Sequence, residues 1–184
     1  ENDVRVAHIS IYRAERVDGE WTNVEKLPFS SEDYSVEHPS LSADGSKLYF
    51  ASDMPGGSGS FDIYMVDINE DGTFGTPQNL GAGVNTAHRE QFPFISEDDV
   101  LYFTSDGHQG FGNLDIYRTE GDFSEVENLG SSINSGNDDF AYVVKENEET
   151  GYFASNRRGT DNLYQFTREE NEIVEAPTEV DPTS

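Results

Sequence analysis

Two glycine-rich stretches hold the side chains best suited to binding chemistry. Asp53-Met-Pro-Gly-Gly-Ser-Gly-Ser-Phe-Asp62 and Asp106-Gly-His-Gln-Gly-Phe-Gly-Asn-Leu-Asp115 each set two carboxylates at the ends of a bending loop. Oxygen ligands on a pliable backbone suit Ca²⁺, so Asp53, Asp62, Asp106 and Asp115 are candidate cation ligands. A competing use is local: an Asp beside a strand accepts backbone N–H bonds, and Gly supplies positive φ. Turn chemistry is the stronger reading of the two.

Other constellations give less. Asp67-Ile-Asn69-Glu-Asp71-Gly72 matches the first half of a helix–loop–helix Ca²⁺ loop, but Gln78 stands at the twelfth position, where a bidentate Glu is needed. Its flanks also read as strands, which makes it a hairpin turn. His8, His38, His88 and His108 share no metal-ligand spacing, and His38, beside Pro39, reads as structural. Gly57-Ser-Gly-Ser lacks the strand-to-helix setting of a nucleophile elbow. No Ser–His–acid arrangement suggests a triad, and no phosphate-cradling loop carries its Lys. The residues point to binding rather than catalysis.

The elements that position these loops recur. Pro39–Ser42, the Ala43-Asp44-Gly45 corner, Leu48–Ser52 and Asp62–Val66 form one sequence unit of three strands. Pro93–Ile95, Val100–Ser105 and Asp115–Tyr117 repeat it, with Tyr49 to Tyr102 and Tyr64 to Tyr117 both 53 residues apart. A degenerate third copy runs through Phe140–Val143, Gly151–Asn156 and Asn162–Tyr164, and Ser10-Ile11-Tyr12 is the tail of a further one. Alternating aromatic and small residues bounded by Asp-Gly and Gly-Gly predict strands and tight turns. Several strands per unit at this period predict propeller blades.

The spacing predicts a strand over Val4–Val17 and another over Trp21–Leu27, the last two of a blade. Two complete four-stranded blades follow at about 37–81 and 90–130, and 138–167 supply three strands of a fourth. Glu169–Ser184, with Pro177 and Pro182 among acidic residues, reads as a linker or tail. Residues 1–168 are thus an all-β propeller segment of antiparallel blades, two complete and two partial. Open stacks leave strand edges that invite pairing, so a longer parent chain or a second copy is expected to complete a six-bladed ring.

Composition narrows the partners. With 37 acidic and 11 basic residues, the net charge is −26. Such a chain repels nucleic acid and anionic headgroups, which need Lys and Arg to displace counterions. Much of this charge is a solvated surface; bound cations or a basic partner are the sharper readings. Cysteine is absent, which removes disulfide and thiolate chemistry, and no run is long enough to span a bilayer or act as a signal peptide.

Pro39-x-Leu-Ser-x-Asp-Gly-x-x-Leu-Tyr-Phe-x-Ser with Asp62-Ile-Tyr resembles the PD40 (TolB-like, WD40-like) β-propeller repeat. Longer words, among them Tyr34-Ser-Val-x-His-Pro-Ser-Leu-Ser, Gly112-Asn-Leu-Asp-Ile-Tyr, Asp138-Asp-Phe-Ala and Ser155-Asn-Arg-Arg-Gly, are similar to the propeller of OmpA-family lipoproteins of the Bacteroidota. That group includes the peptidoglycan-linked component of the type IX secretion and gliding machinery. The resemblance covers about residues 8–167; Lys145–Thr150 departs from it where Ser-x-Asp-Gly is expected. It implies a periplasmic, outer-membrane-associated scaffold without catalysis or cofactor, whose partners are proteins of the cell envelope. Peptidoglycan would be reached only through an OmpA-type domain, whose motifs these residues lack.

In such a propeller the loops between second and third strands share one face with the blade-to-blade connections. Met54, Pro55, His108, Phe111, Arg157 and Arg158 fall there, and are the candidate contact residues. Two other classes stay open: a Ca²⁺- or glycan-binding module, and a propeller accessory to a hydrolase.

Overall fold

A computed structural model describes residues 7–145, 149–169, 172–173 and 178–179. The described residues contain strands and turns and no helix. Strands β1 (Tyr12–Val17) and β2 (Glu20–Lys26) form a two-stranded antiparallel sheet. Strands β3 (Val36–Leu41), β4 (Lys47–Ser52), β5 (Asp62–Asp67) and β6 (Gln78–Asn79) form the first full sheet. Strands β7 (Glu90–Ile95), β8 (Leu101–Ser105), β9 (Asp115–Thr119) and β10 (Val126–Asn128) form the second. In both, neighbours in sequence pair antiparallel, in the order first to fourth. The last sheet holds β11 (Asp139–Val144), β12 (Thr150–Ser155) and β13 (Asn162–Glu169), with β14 (Glu172–Ile173) and β15 (Thr178–Glu179) both paired to β13. The first strand β7 lies between the first strands β3 and β11, in contact with both. This is a β-propeller in part.

The period-2 alternation explains why the sheets stack. Successive side chains point to opposite faces, and in a blade both faces are covered. From β4, Leu48 and Phe50 pack toward the first sheet with Ile11, Leu27 and Phe29, while Tyr49 and Ala51 pack toward the next with Leu101 and Phe103. From β8, Leu101 and Phe103 face back, and Tyr102 faces forward to Tyr142 and Phe153. Each buried aromatic of this kind contributes about 1.5–3 kcal/mol relative to exposure. The register sets Phe50 opposite Tyr64, Phe103 opposite Tyr117 and Phe153 opposite Tyr164. Their rings stack at 5.8, 5.8 and 5.5 Å.

The connecting Asn-Leu-Gly-x-x-[Val/Ile]-Asn segment closes each blade without a strand of its own. Asn85 is buried; its Oδ1 accepts from Ile63 N at 2.7 Å, and its Nδ2 donates to Ile63 O at 2.9 Å and Asn79 Oδ1 at 2.9 Å. Asn134 repeats all of this on Ile116 and Asn128. One amide side chain thus meets the backbone of the third strand as a neighbouring strand would. Gly81 and Gly130, at φ +79° and +74°, make the turn that brings it round.

Several boundaries differ from expectation. The strand expected over Val4–Val17 is β1, which starts at Tyr12; Val4 and Val6 lie outside the described residues. The fourth strands of the two complete blades are only two and three residues long, because Phe74 and Phe123 turn inward onto Phe29 and Tyr49. The first inner strand begins at Val36 rather than Pro39. Parts of the expected 169–184 tail, β14 and β15, pair with β13; Pro177 and Pro182 lie outside the described residues, as does part of the irregular Lys145–Thr150 corner.

Candidate functional site

The glycine loops are clamped from beneath by their own acidic ends. The residue that follows each second strand caps the backbone just before the first strand. Asp53 Oδ1 accepts from Ser35 N at 2.6 Å, Asp106 Oδ1 from Arg89 N at 2.9 Å, and Asn156 Oδ1 from Asp138 N at 2.9 Å. Asp106 Oδ2 also meets the Arg89 guanidinium at 3.1 Å. At the other end, Asp62 accepts from Ser58 N (2.6 Å), Gly59 N (2.9 Å) and Asn79 Nδ2 (2.6 Å). Asp115 accepts from Phe111 N (2.7 Å) and Gly112 N (3.1 Å) through Oδ2 alone, and its buried Oδ1 meets no donor. Burial raises the Asp115 carboxyl above its ordinary value, against the pull of those two amides.

Each of the four candidate cation ligands thus gives at least one oxygen to backbone N–H donors, while Asp115 Oδ1 meets none. Among the described residues no group of three or more His, Asp or Glu is placed to hold a metal ion. Asp71 behaves likewise in its hairpin: the Thr73 hydroxyl and amide hold its carboxyl below the usual range. At the Asp44 corner, bonds from the Ser46 amide and the Ser42 and Ser46 hydroxyls bring that carboxyl to about 2.

The six residues expected at exposed tips divide into two groups. Pro55, Phe111 and Arg158 are exposed, Phe111 by 54%. Met54, His108 and Arg157 are half-buried and have packing duties. Met54 lies against the Phe50–Tyr64 cluster. The His108 ring sits 5.2 Å from Tyr117 and 5.8 Å from Phe103, and its Nε2 lies 2.8 Å from Val84 O, which only an Nε2–H can satisfy. Arg157 stacks 5.0 Å over both Phe153 and Tyr164 and donates to Ile133 O, the counterpart of Val84. It also pairs with Asp139 Oδ1 at 2.6 Å, a carboxylate with no solvent exposure. His108 and Arg157 are thus blade plugs with different chemistry at one location.

A second feature lies on the inner strands. Each carries a bulge at the same place, between Glu37 and Ser40, Gln91 and Phe94, and Phe140 and Val143. The first bulge residue is left-handed every time: His38 at φ 52°, Phe92 at 51°, Ala141 at 54°. For bulky residues this conformation is strained and concentrates at sites that use it. His38 stacks on Phe92 at 3.8 Å and Phe92 meets Phe140 at 5.2 Å, along an apolar groove of about 210 Å³ that Pro39, Pro93 and Tyr142 also line. Burial lowers the His38 value, opposed by Glu37, whose carboxylate is bonded to Gln91 across the strands. The sequence signal was Pro39 and Pro93 inside strand words, since Pro within a sheet marks an edge or a bulge.

No family model matches the sequence, and no curated protein matches it. Solved structures do resemble it in fold. TolB from Acinetobacter baumannii matches with a TM-score of 0.60 and 22% identity over 89% of this chain and 36% of its own. A putative TolB from Agrobacterium tumefaciens matches at 0.61 and 18% identity, over 88% and 58%. A nidogen/laminin complex contains a chain matching at 0.64 with 8% identity, over 89% and 56%. The chain spans less than two thirds of each of these. At such identities the likeness is one of fold, that of TolB-like β-propellers.

Proposed function

We propose that this chain is the propeller part of a non-catalytic protein-interaction scaffold, and that it docks through the face carrying the loops between second and third strands. The observation behind this reading is that Pro55, Phe111 and Arg158 are exposed on loops whose ends are pinned by side-chain bonds of Asp53, Asp106, Asp115 and Asn156 to backbone N–H groups. An exposed aromatic on a pre-ordered loop loses little entropy when it binds, which favours contact use. The fold shared with TolB agrees with such a role. The similarity of its sequence words to OmpA-family lipoproteins adds the setting: the bacterial periplasm at the outer membrane, with an envelope protein as partner, as in secretion and gliding machinery.

Photo-crosslinking in envelope preparations tests this. A photoreactive residue at position 111 should give a discrete protein adduct, reduced several-fold by Arg158→Glu, whereas the same probe at position 44, on the opposite face, should give none. Adducts from position 44 alone would refute the choice of face.

A further inference from the structure

The two complete blades share a polar junction, and they close it differently. Asp62, Tyr64 and Asn79 form it in the first full sheet, Asp115, Tyr117 and Asn128 in the second. In each, the tyrosine and the asparagine are register partners across the third and fourth strands. A glycine covers each from the loop: a side chain at position 57 or 110 would strike the Asp carboxylate and the Tyr hydroxyl. The first junction closes on itself, since Asn79 Nδ2 donates to Asp62 Oδ2 at 2.6 Å and both carboxylate oxygens are taken. The second does not. Both loop amides fall on Asp115 Oδ2, at 2.7 and 3.1 Å, which leaves Oδ1 unmet. Tyr117 Oη and Asn128 Nδ2 are likewise buried without a hydrogen-bond partner among the described residues. Asp115 and Tyr117 are 1% and 2% exposed, so bulk solvent does not reach them.

Buried polar groups without a protein partner are met by internal water, and these three groups define what they bind. Asn128 Oδ1 accepts from Gly130 N at 2.8 Å and Asn134 Nδ2 at 3.0 Å, so the Asn128 NH₂ is fixed as the remaining donor. Asp115 Oδ1 offers an acceptor, and the Tyr117 hydroxyl can donate or accept. The NH₂ disfavours a cation, and the Gly110 backbone leaves no room for a larger molecule. We infer that Asp115 Oδ1, Tyr117 Oη and Asn128 Nδ2 form an internal binding site for one water molecule, beneath the loop that carries Phe111. The water accepts from Asn128 and donates to Asp115, and Tyr117 completes its coordination. Burial pushes the Tyr117 hydroxyl up to about 12, opposed by the Asn128 amide and reinforced by the Asp115 carboxylate, so the three groups lie within reach of one another. The amide stands near the hydroxyl without meeting hydrogen-bond geometry, as it must if a water bridges them. Through this water the fourth strand steadies the carboxylate that holds Phe111 N and Gly112 N, a task that Asn79 performs directly in the first blade. The site lies inside a complete blade and does not depend on which face docks a partner.

Crystals of the full chain test the site directly. Expected is one density peak within about 3 Å of all three atoms, and none among Asp62, Tyr64 and Asn79. No peak, or Asn128 Nδ2 bonded straight to Asp115, overturns the inference. Magnetic relaxation dispersion of the solvent oxygen nucleus reads the same water in solution. Tyr117→Phe removes one of its three partners and should shorten its residence time about tenfold, whereas Tyr64→Phe should leave the dispersion unchanged. Both changes keep the ring and its packing, which circular dichroism checks. Equal effects of the two variants, or no effect of Tyr117→Phe, overturn the inference as well.

Discussion

Asp62 and Asp115 occupy the same place in successive blades, yet replacing each with Asn should have unequal consequences. Both oxygens of Asp62 are engaged, by Ser58 N, Gly59 N and Asn79 Nδ2. An amide there must turn its NH₂ toward at least one N–H, losing a charge-assisted bond and leaving a buried donor unmet. Bonds to a charged group are worth about 1.5–3 kcal/mol, so Asp62→Asn should destabilise by about 2–3 kcal/mol. Asp115 differs because only Oδ2 is engaged, by Phe111 N and Gly112 N, and Oδ1 faces no donor. Asp115→Asn keeps its oxygen on the two amides and sets the NH₂ where nothing opposes it, so the change should stay within about 1 kcal/mol. The pH dependence adds a second signature. Because burial raises the folded-state value of Asp115, the group favours the fold below the ordinary carboxylate range, and that support is lost as pH rises through the folded value. Relative to Asp115→Asn, the parent protein should therefore lose stability as pH climbs above the ordinary carboxylate value of about 4. Urea unfolding at several pH values reads both quantities as shifts in midpoint at constant slope. Equal losses for the two variants at neutral pH would refute the reasoning, since burial and backbone setting are otherwise alike.

Two further outcomes follow from the same geometry. Asn85→Ala should cost about 1–3 kcal/mol, because it leaves the N–H of buried Ile63 without a partner and removes one of the two bonds to its C=O, and Asn134→Ala should match it on Ile116; chemical denaturation measures both. Arg157→Met should cost about 3–5 kcal/mol by stranding the buried Asp139 carboxylate, and adding Asp139→Asn should recover part of the loss; a double-mutant cycle by thermal unfolding checks it.

Much of the architecture was legible because a blade strand carries two messages at once. Leu48-Tyr49-Phe50-Ala51 is apolar on both pleat faces, and a strand covered on both sides must lie between two sheets. Repetition of that word at a fixed interval then requires a stack. The ends of the outer strands were less legible, since Phe74 and Phe123 look like strand residues but are held by rings of the preceding sheet. The packing of the tips was hidden for a different reason. Sequence places Met54, His108 and Arg157 correctly on the loops, but it cannot show that a loop of that length folds back over its own blade. An Arg reads as solvent-bound until a buried Asp139, eighteen residues away, supplies its counter-charge. The inner-strand bulges left only the trace of Pro39 and Pro93, and Ala141 marks the third bulge with no proline at all.

The plugs also say where these blades are free to differ. Strand words are constrained by two neighbours, and the Asn clips by the backbone they replace, so both recur almost unchanged. Beyond the clamps at its ends, the loop after the second strand has to cap the aromatic pair below, and in two blades it reaches the carbonyl of Val84 or Ile133. A His ring does this in one blade and an Arg in the next, while Met54 covers Phe50 and Tyr64 by apolar contact alone. Since the cap can be met by such different chemistry, the exposed residues beside it, Pro55 and Phe111, carry no shared packing constraint. Variation that the fold leaves unconstrained, on loops that the fold nevertheless holds still, is the condition under which a propeller face can be shaped to one partner. By the same reasoning, the acidic hairpin turns of the opposite face, whose Asp44, Asp71 and Asp122 are each bound to hydroxyls of their own turn, serve solubility and turn closure.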